Sequence, residues 1–425
     1  MKYTLRHITG LLLLLPALGG AQDALGIHQR LLVLDTHVDT PSVILETPGF
    51  DFTVRHDALA DLSQVDLPRM VEGGLDAAFF AVYVPQGPRT EAGRLAHIER
   101  AEQLFAIIHQ LVADHPQQLA LATSPDEVRR IVASKRHAIL IGIENGAAIG
   151  GDLERLRRYW TMGARYMTLT HSANNELGDS STDPNGPEYH GLSALGKQVV
   201  QEMNQLGMMV DISHTSDETF WDALHLSKAP IIASHSGCFA LYPHPRNMKD
   251  DMIRALAQAG GVIQINTYAS YMADIPQDPQ RSEALAALQH THGDPETLDA
   301  VGMAAWRRAY GEINRQFPPR LPPLSLVADH IDHAVAIAGI DHVGLGADFD
   351  GGGGVAGFYD VSELPNLTAE LLRRGYSLFD LRKFWGGNLL RVMGEVQRLA
   401  AKASQGAAPS SAPLASASSS ALPSR

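Results

Sequence analysis

Eight short apolar runs, separated by helical stretches, constrain the fold of this chain more than any other feature of its sequence. Apolar runs of this length, bounded by polar breaks, are typical of strands that are buried on both faces of a sheet. Strands that alternate with helices predict a parallel sheet, and a (β/α)8 TIM barrel is the most economical arrangement of eight such units. The eight runs are residues 31–39, 75–84, 138–143, 166–171, 208–212, 230–233, 262–266 and 342–346.

Helices are predicted in most of the segments between these runs. Residues 269–323 form a long insertion after the seventh strand, with a helix of their own at 298–317. A doubly wound open sheet is the alternative fold, but no glycine-rich phosphate-binding turn follows the first strand. The other predicted helices are 59–72, 90–114, 126–133, 152–162, 192–206, 216–226, 252–258, 324–338 and one or two helices within 378–400.

Both ends of the chain are predicted to lie outside the barrel, which is assigned to residues 22–402. Residues 1–21 have basic residues, then an apolar core at 11–18, then Gly19, Gly20 and Ala21, which is the pattern of a cleaved secretory signal peptide. An uncleaved anchor or a buried N-terminal helix is the alternative. Residues 403–425 are almost entirely Ala, Ser, Pro and Gly, so we expect a disordered tail.

The composition excludes several classes of partner and site. The 425 residues carry a formal net charge of −13 without a long basic cluster, so nucleic acid and anionic membranes are not expected partners. The apolar segment at 11–18 is too short to serve as a stable membrane anchor. Cys238 is the single cysteine, which excludes an internal disulfide and a zinc site of paired thiolates. An exported chain without disulfides fits a bacterial periplasm.

Polar residues of one kind recur where the predicted strands end. In a barrel the carboxyl ends of all strands surround one cavity, so residues far apart in sequence converge there. A His-x-Asp pair such as His37 and Asp39 is by itself more often structural than metal-binding. Three consecutive strands that end in histidine change that balance and predict a metal site. The residues at strand ends are His37, Asp39, Glu144, His171, His214, His235, Asp348 and Asp350.

The residue types restrict the metal. Imidazole and carboxylate groups without thiolates suit zinc, manganese, iron or cobalt, whereas calcium and magnesium prefer oxygen ligands almost alone. The set is larger than one catalytic zinc needs, since such an ion uses three protein groups and keeps one position open. Glu144 has a carboxylate that could bridge, so two ions become plausible.

These strand ends carry motifs that resemble the membrane dipeptidase (renal dipeptidase) family, a branch of the metal-dependent amidohydrolase-like barrels. The motifs follow one another in family order and extend over about residues 30–395, which is nearly all of the predicted barrel. They are DTHVD at 35–39, GIE at 142–144, TLTH at 168–171, DISH at 211–214, ASHS at 233–236, HPRN at 244–247, GLGADFDG at 344–351 and GNLLR at 387–391.

The resemblance implies two zinc ions per chain. His37 and Asp39 would bind the first ion, His214 and His235 the second, and Glu144 would bridge them. A metal-bridged hydroxide would attack the peptide carbonyl. Asp35 is interpreted as support for the first ligand pair rather than as a ligand.

The resemblance also implies residues that act on the substrate. His171 matches a histidine that contacts the substrate carbonyl and stabilises the oxyanion, and Arg246 matches the arginine that binds the terminal carboxylate of a dipeptide. Asp348 matches the acid that transfers a proton to the departing amine, although Asp350 could do this while Asp348 positions a histidine. Tyr268 is placed to line the substrate pocket, and a packing role is its alternative.

The sequence departs from the family in three places. Asn145 follows the bridging acid where many members have glycine, and the insertion at 269–323 carries little recognisable motif. The cysteines that link the animal enzymes into dimers are absent, which leaves a noncovalent homodimer open.

We therefore expect an exported zinc dipeptidase that acts on short peptides with a free carboxylate. The family includes members that accept a D-residue on the carboxyl side and members that open carbapenem-type β-lactams, so both activities remain open here. The alternatives are another hydrolase on the same barrel, such as a lactonase, phosphotriesterase or deaminase, and a noncatalytic barrel. The dinuclear members among those hydrolases typically use a lysine bridge, whereas the third predicted strand here ends in Glu144.

Overall fold

The computed structural model describes residues 24–276 and 278–406. The predicted signal peptide at 1–21 and residues 407–425 of the predicted tail lie outside this range. Parallel strands form the centre of the structure. They are β1 (Leu34–Val38), β2 (Ala77–Tyr83), β3 (Leu119–Leu121), β4 (His137–Glu144), β5 (Ala164–Thr168), β6 (Met209–Asp211), β7 (Ile232–Cys238), β8 (Asn247–Met248), β9 (Val262–Ile265) and β10 (Val343–Leu345).

Eight of these strands form a barrel in the order β1-β2-β4-β5-β6-β7-β9-β10, and β3 and β8 pair only with β4 and β7. The last strand meets the first through a parallel bridge between Val38 and Phe349. The backbone N–H of Asp39 donates to the Phe349 carbonyl at 2.8 Å. Asp35 strengthens this closure, because its carboxylate accepts the backbone N–H groups of His37 and Ala347, both at 3.0 Å. The predicted (β/α)8 barrel is confirmed, and each of the eight apolar runs overlaps one of its strands.

Helices cover the outside of the barrel, as crossover connections require. After β1 they are α1 (Thr40–Glu46), α2 (Ala58–Asp61), α3 (Leu67–Gly73), α4 (Glu91–Asp114), α5 (Pro125–Ala133), α6 (Leu153–Thr161), α7 (Ala194–Leu206), α8 (Asp217–Leu226), α9 (Asp250–Gln258), α10 (Pro279–His292), α11 (Ala300–Gln316), α12 (Leu324–Ala338), α13 (Leu364–Arg373), α14 (Leu378–Arg382) and α15 (Asn388–Gly406).

The helix predicted over 59–72 is wrong as a single element. It is two helices, α2 and α3, because Leu62 adopts a left-handed conformation with φ 63° and ends α2. Asp66 then begins α3 by accepting the backbone N–H of Arg69. Helices α1, α10 and α13 were not predicted. Helix α15 continues to Gly406, beyond residue 402, where the barrel was expected to end.

The lower end of the barrel is closed by apolar side chains. Interior residues such as Phe79, Leu140 and Tyr166 form one buried cluster with Leu389 and Met393 of α15. This closure leaves the upper end, where the strands finish, as the place for polar groups. None of the helices in the described residues is both long enough and apolar enough to cross a membrane.

The insertion after β9, the seventh barrel strand, lies over the first loops of the barrel. Helix α11 approaches α2 so closely that a Cβ atom on Gly311 would lie 1.8 Å from the Ala60 carbonyl oxygen. Only glycine permits this backbone contact. The insertion is thereby fixed beside the upper end of the barrel.

Candidate active site

The upper end of the barrel brings the predicted metal ligands together. His37, Asp39, Glu144, His214 and His235 are all buried. Their ligand atoms form overlapping groups whose members lie within 4.8 Å of one another. These groups are His37 with Glu144 and His235, Glu144 with His171 and His214, and His37 with Asp39 and Asp348.

Glu144 lies at the centre of this arrangement, at the end of β4. Its Oε2 is 3.3 Å from His37 Nε2, which is also 3.3 Å from Asp39 Oδ2. Its other oxygen, Oε1, is 3.2 Å from His214 Nε2 and 3.5 Å from His235 Nε2. The two carboxylate oxygens therefore face two different groups of ligands.

The hydrogen bonding of these atoms fits a site for cations. Among residues 24–276 and 278–406, His37 Nε2 and Asp39 Oδ1 are buried without a hydrogen-bond partner. His214 Nε2 and His235 Nε2 lie 2.9 Å apart, and both approach the same oxygen of Glu144. Buried polar atoms that converge in this way are costly unless a ligand satisfies them, and nitrogen and carboxylate donors suit zinc.

Two of the histidines have pKa directions that agree with this interpretation, whereas Tyr166, Glu144 and Asp39 raise the pKa of His37 above its ordinary value although burial opposes this. Burial lowers the pKa of His214 and of His235 well below the ordinary value, which keeps both rings neutral and able to bind a metal. Burial alone would raise the pKa of Glu144, but the neighbouring charge of His37 holds it well below its ordinary value. The central carboxylate is therefore an anion at neutral pH.

Tyr166 of β5 sets the orientation of His37. Its hydroxyl donates to the Thr36 carbonyl at 3.1 Å and lies 2.8 Å from His37 Nδ1. Because a carbonyl only accepts, the hydroxyl uses its proton there and accepts from His37 Nδ1–H, which directs Nε2 toward the carboxylates. Gly142 makes room for Tyr166, since a Cβ atom there would lie 2.0 Å from the phenol ring.

A second hydrogen-bond chain orients His235. The Ser234 hydroxyl donates to Asp211 Oδ2 at 2.6 Å and lies 2.9 Å from His235 Nδ1. The same argument assigns the proton of this ring to Nδ1 and leaves Nε2 to face Glu144. Tyr166, Ser234 and Asp211 were not predicted as site residues, although Tyr166 begins the fourth apolar run and the other two lie inside the recognised motifs.

We expect Tyr166→Phe to weaken zinc binding by about 10- to 100-fold, because residues that orient a ligand typically contribute this much. The measurement is competition with a chelator for zinc at equilibrium, which does not depend on turnover. Tyr159→Phe is the matched control, since Tyr159 is a buried tyrosine of α6 whose hydroxyl donates to the Ala148 carbonyl. Equal zinc affinity in the two variants would contradict the role of Tyr166.

Asp348 and Asp350 follow β10 and point to different surroundings. Asp348 is grouped with His37 and Asp39, and Asn266 Nδ2 donates to its Oδ2 at 3.2 Å. Burial raises the pKa of Asp348 to about 8. Asp350 instead accepts the backbone N–H of Gln64 at 2.5 Å and the Thr40 hydroxyl at 2.7 Å. Only Asp348 therefore faces the ligand cluster.

Several residues here have a backbone conformation that favours glycine. The φ angle is 80° at Asn145, 68° at His214 and 64° at Asp348. Asn145 tolerates this strain because its side chain donates to the Val84 carbonyl at 3.0 Å and accepts the Ala147 N–H at 3.1 Å. The glycine found here in many members of the family thus has a conformational reason.

The predicted substrate residues lie beside the predicted metal ligands. His171 Nε2 is 3.6 Å from Glu144 Oε1, and its ring contacts the Tyr83 ring edge to face at 4.9 Å between centroids. Arg246 Nη2 donates to the His235 carbonyl at 2.9 Å. Within the described part of the chain, its buried Nε has no hydrogen-bond partner. An arginine held in this way is available to an incoming anion.

A second tyrosine, Tyr271, lies between Tyr268 and this arginine. The Tyr268 ring stacks on Tyr271 at 4.3 Å, and the Arg246 guanidinium lies 5.5 Å from the centre of the Tyr271 ring. Tyr271 was not predicted, because it belongs to the insertion, where no motif marks it.

Comparisons with known proteins agree with the geometry. The family model described as membrane dipeptidase (peptidase family M19) matches residues 21–406. "Dipeptidase aclJ" of Aspergillus oryzae is 35% identical over 350 residues, which cover 81% of this chain and 72% of that protein. "Dipeptidase tcpJ" of Claviceps purpurea is 34% identical over 373 residues, which cover 86% of this chain and 77% of that protein.

Solved structures give the same result. The probable dipeptidase PvdM from Pseudomonas aeruginosa has a TM-score of 0.76 and 32% identity, covering 90% of this chain and 100% of that one. A metallopeptidase from Rhodobacter sphaeroides, liganded with a phosphinate mimic of the dipeptide L-Ala-D-Ala, has a TM-score of 0.67 and 25% identity, covering 86% and 99%. With the clustered ligands of the barrel, these similarities show that the chain belongs to the membrane dipeptidase family of metallopeptidases, peptidase family M19.

Proposed function

We propose that this protein is a dinuclear zinc dipeptidase that hydrolyses dipeptides with a free carboxyl terminus. The observation that carries the proposal is the position of Glu144, whose two oxygens face His37 on one side and His214 with His235 on the other. A carboxylate between two sets of ligands is suited to bridging two cations. His37 and Asp39 would hold one ion, and His214 and His235 the other.

The two ions, when bound, would supply Lewis acids that activate a water molecule and polarise the scissile carbonyl. His171 contributes a hydrogen-bond donor beside them. Burial lowers the pKa of His171, so the ring is neutral and can donate one N–H to the carbonyl oxygen of the substrate. This hydrogen bond strengthens as negative charge develops on that oxygen.

Asp348 is placed to move the proton. Its carboxylate accepts a proton from the attacking water, and it returns that proton to the leaving nitrogen when the C–N bond breaks. Burial raises the pKa of Asp348 to about 8, and bound cations beside it would favour the carboxylate form that accepts the proton. Asn266 holds the side chain in place through its hydrogen bond.

Arg246 restricts the substrate to peptides with a free carboxylate. We expect Arg246→Met to reduce kcat/KM for a dipeptide by about 10- to 100-fold, because a charge-assisted hydrogen bond of about 1.5–3 kcal/mol is lost. Hydrolysis of the same dipeptide with an amidated carboxyl end should hardly change, since that substrate offers no charge to the arginine. Parallel kinetics on the two substrates measure this, with Arg254→Met on the exposed face of α9 as the control. An equal loss on both substrates would show that Arg246 does not bind the carboxylate.

The stereochemical range is part of the proposal. The Rhodobacter sphaeroides metallopeptidase was solved with a mimic of L-Ala-D-Ala, and its similarity favours L,D-dipeptides among the substrates here. A noncovalent homodimer, opening of carbapenem-type β-lactams and export to a bacterial periplasm are further expectations that rest on the sequence and the family alone.

The test is a substrate panel on the purified protein, with and without metal. We expect cleavage of L,L- and L,D-dipeptides, much slower cleavage of amidated dipeptides, resistance of tripeptides, loss of activity after dialysis against a chelator, and recovery when zinc is restored. A lactonase or another barrel hydrolase would instead cleave esters or lactones and leave the dipeptides intact. Activity that survives complete metal removal would overturn the proposal.

A further inference from the structure

A cleft of about 450 Å³ lies between the insertion and the glycine-rich loop at residues 351–354. Its wall is mostly aromatic and aliphatic, and helix α11 contributes a large part of it. The lining side chains that matter here are Met303, Trp306 and Tyr310 of α11, with Tyr268, Tyr359 and Leu62 from the barrel side. The sequence motifs account for none of the residues from α11.

Most polar groups of this wall have partners in the protein, although Arg307 Nε is buried without a hydrogen-bond partner among the described residues. Arg307 pairs with Glu46 at 3.2 Å, and Arg281 donates to the Asn314 side chain at 2.9 Å and to the Phe317 carbonyl at 2.6 Å. The Asp350 carboxylate accepts from Gln64 and Thr40. A ligand in the cleft therefore meets aromatic and aliphatic surface, which favours an apolar occupant.

The cleft adjoins the metal ligands on one side only. Gly351 lines it, and a Cβ atom on this residue would lie 2.3 Å from Asp348 Oδ1 and 2.4 Å from Asp39 Oδ2. Gly351 therefore packs against both carboxylates, and its backbone alone lies between the cleft and the half of the site that contains Asp39. Arg246 lies on the other side, and the stacked rings of Tyr271 and Tyr268 separate it from the cleft.

If the proposed function holds, this arrangement favours one direction for a bound dipeptide. The carboxylate of the dipeptide would bind Arg246, and its scissile carbonyl would lie near Glu144 and His171. The amino-terminal residue of the dipeptide would then extend toward Asp39 and Gly351. We propose that the cleft binds the side chain of this amino-terminal residue and selects large apolar side chains, aromatic ones above all. An apolar cavity of about 150 Å³ is enough to bind benzene, so a cleft of about 450 Å³ has room for an indole ring.

The experiment compares kcat/KM for Ala-Ala, Phe-Ala and Ala-Phe on the zinc-loaded protein. We expect the wild type to prefer Phe-Ala over Ala-Ala by about tenfold or more, because the ring is buried in the cleft. Trp306→Ala should lower the value for Phe-Ala by about tenfold and leave Ala-Ala and Ala-Phe within about twofold. Val301→Ala is the control, since Val301 belongs to the same helix and its side chain is exposed.

A second variant fills the cleft rather than enlarging it. Ser270 lines the cleft and is exposed, so Ser270→Trp adds a ring there without repacking the core. We expect it to lower kcat/KM for Phe-Ala and to leave Ala-Ala unchanged, and the retained activity on Ala-Ala shows that the variant is folded.

The outcomes separate this inference from the proposed function. Cleavage of Ala-Ala with no preference for Phe-Ala overturns the inference and leaves the dipeptidase intact. A loss of kcat/KM in Trp306→Ala that is confined to Ala-Phe overturns the inference as well, because the cleft would then bind the side chain of the carboxyl-terminal residue. If Trp306→Ala lowers kcat/KM equally for all three substrates, the result does not separate a folding defect from a role of the cleft, and Ser270→Trp provides the test. An unchanged kcat/KM for Phe-Ala in Ser270→Trp then rejects the inference. Failure to cleave any dipeptide rejects the proposed function itself.

Discussion

Replacing Glu144 by glutamine should reduce kcat/KM for dipeptides by ~10³-fold or more and reduce the amount of bound zinc. The amide preserves the shape of the side chain, but its NH2 group cannot bind a cation and its charge is zero. One side of the proposed bridge is therefore lost. A Lewis acid contributes several kcal/mol to such a reaction, and each 1.36 kcal/mol corresponds to tenfold in rate. Steady-state kinetics and metal analysis of the same preparation measure the two effects together.

Glu154→Gln is the matched control for this variant. Glu154 is an exposed carboxylate of α6 that pairs with Arg157, so its loss should change neither activity nor zinc content. A thermal unfolding curve for each variant shows that both are folded. If Glu144→Gln kept its zinc and its activity within about tenfold of the wild type, Glu144 would not bridge the ions.

Asp348→Asn should lower kcat by about 10²- to 10⁴-fold while the bound zinc stays nearly unchanged. Proton transfer by a positioned side chain typically contributes this much to the rate, and an amide cannot carry the proton. Binding of metal depends mainly on the other five residues, so the loss should appear in turnover. Kinetics combined with zinc analysis distinguish this role from that of a ligand, whose loss would lower both.

Asp350→Asn tests the alternative that the sequence left open. Asp350 is only two residues away, but its two oxygens accept from the Gln64 backbone and the Thr40 hydroxyl. We expect this variant to lose less than about tenfold in kcat. A large loss of kcat in Asp350→Asn together with a small loss in Asp348→Asn would show that Asp350, and not Asp348, transfers the proton.

The candidate metal ligands could be brought together from the sequence because each one lies at or near the predicted end of a strand. An apolar run identifies a buried strand from local sequence, and the barrel then requires all strand ends to surround one cavity. His37 and Glu144 are 107 positions apart, yet both follow apolar runs, and the structure places their side chains 3.3 Å apart. The residues that orient these ligands were harder to identify. The hydroxyl of Tyr166 has a function only because Thr36 and His37 of another strand lie next to it.

The insertion shows where sequence patterns stop being informative. Its position after the seventh strand was predicted, but α10 was not, and Tyr271 and Trp306 stood out in no motif. Their role depends on contacts with distant segments, such as the close approach of Gly311 to Ala60. Short-range patterns carry no information on such contacts.

The sequence by itself determined the barrel, the order of its strands and the residue types that gather at its upper end. These follow from hydrophobic periodicity, which is local and repeats eight times. Only the tertiary structure decided how the groups face one another: that Glu144 presents one oxygen to each set of ligands, that Asp348 rather than Asp350 faces the cluster, and that a cleft opens beside Gly351. The physical reason is that directions and distances between side chains of different strands depend on packing across the whole barrel, which no single segment encodes.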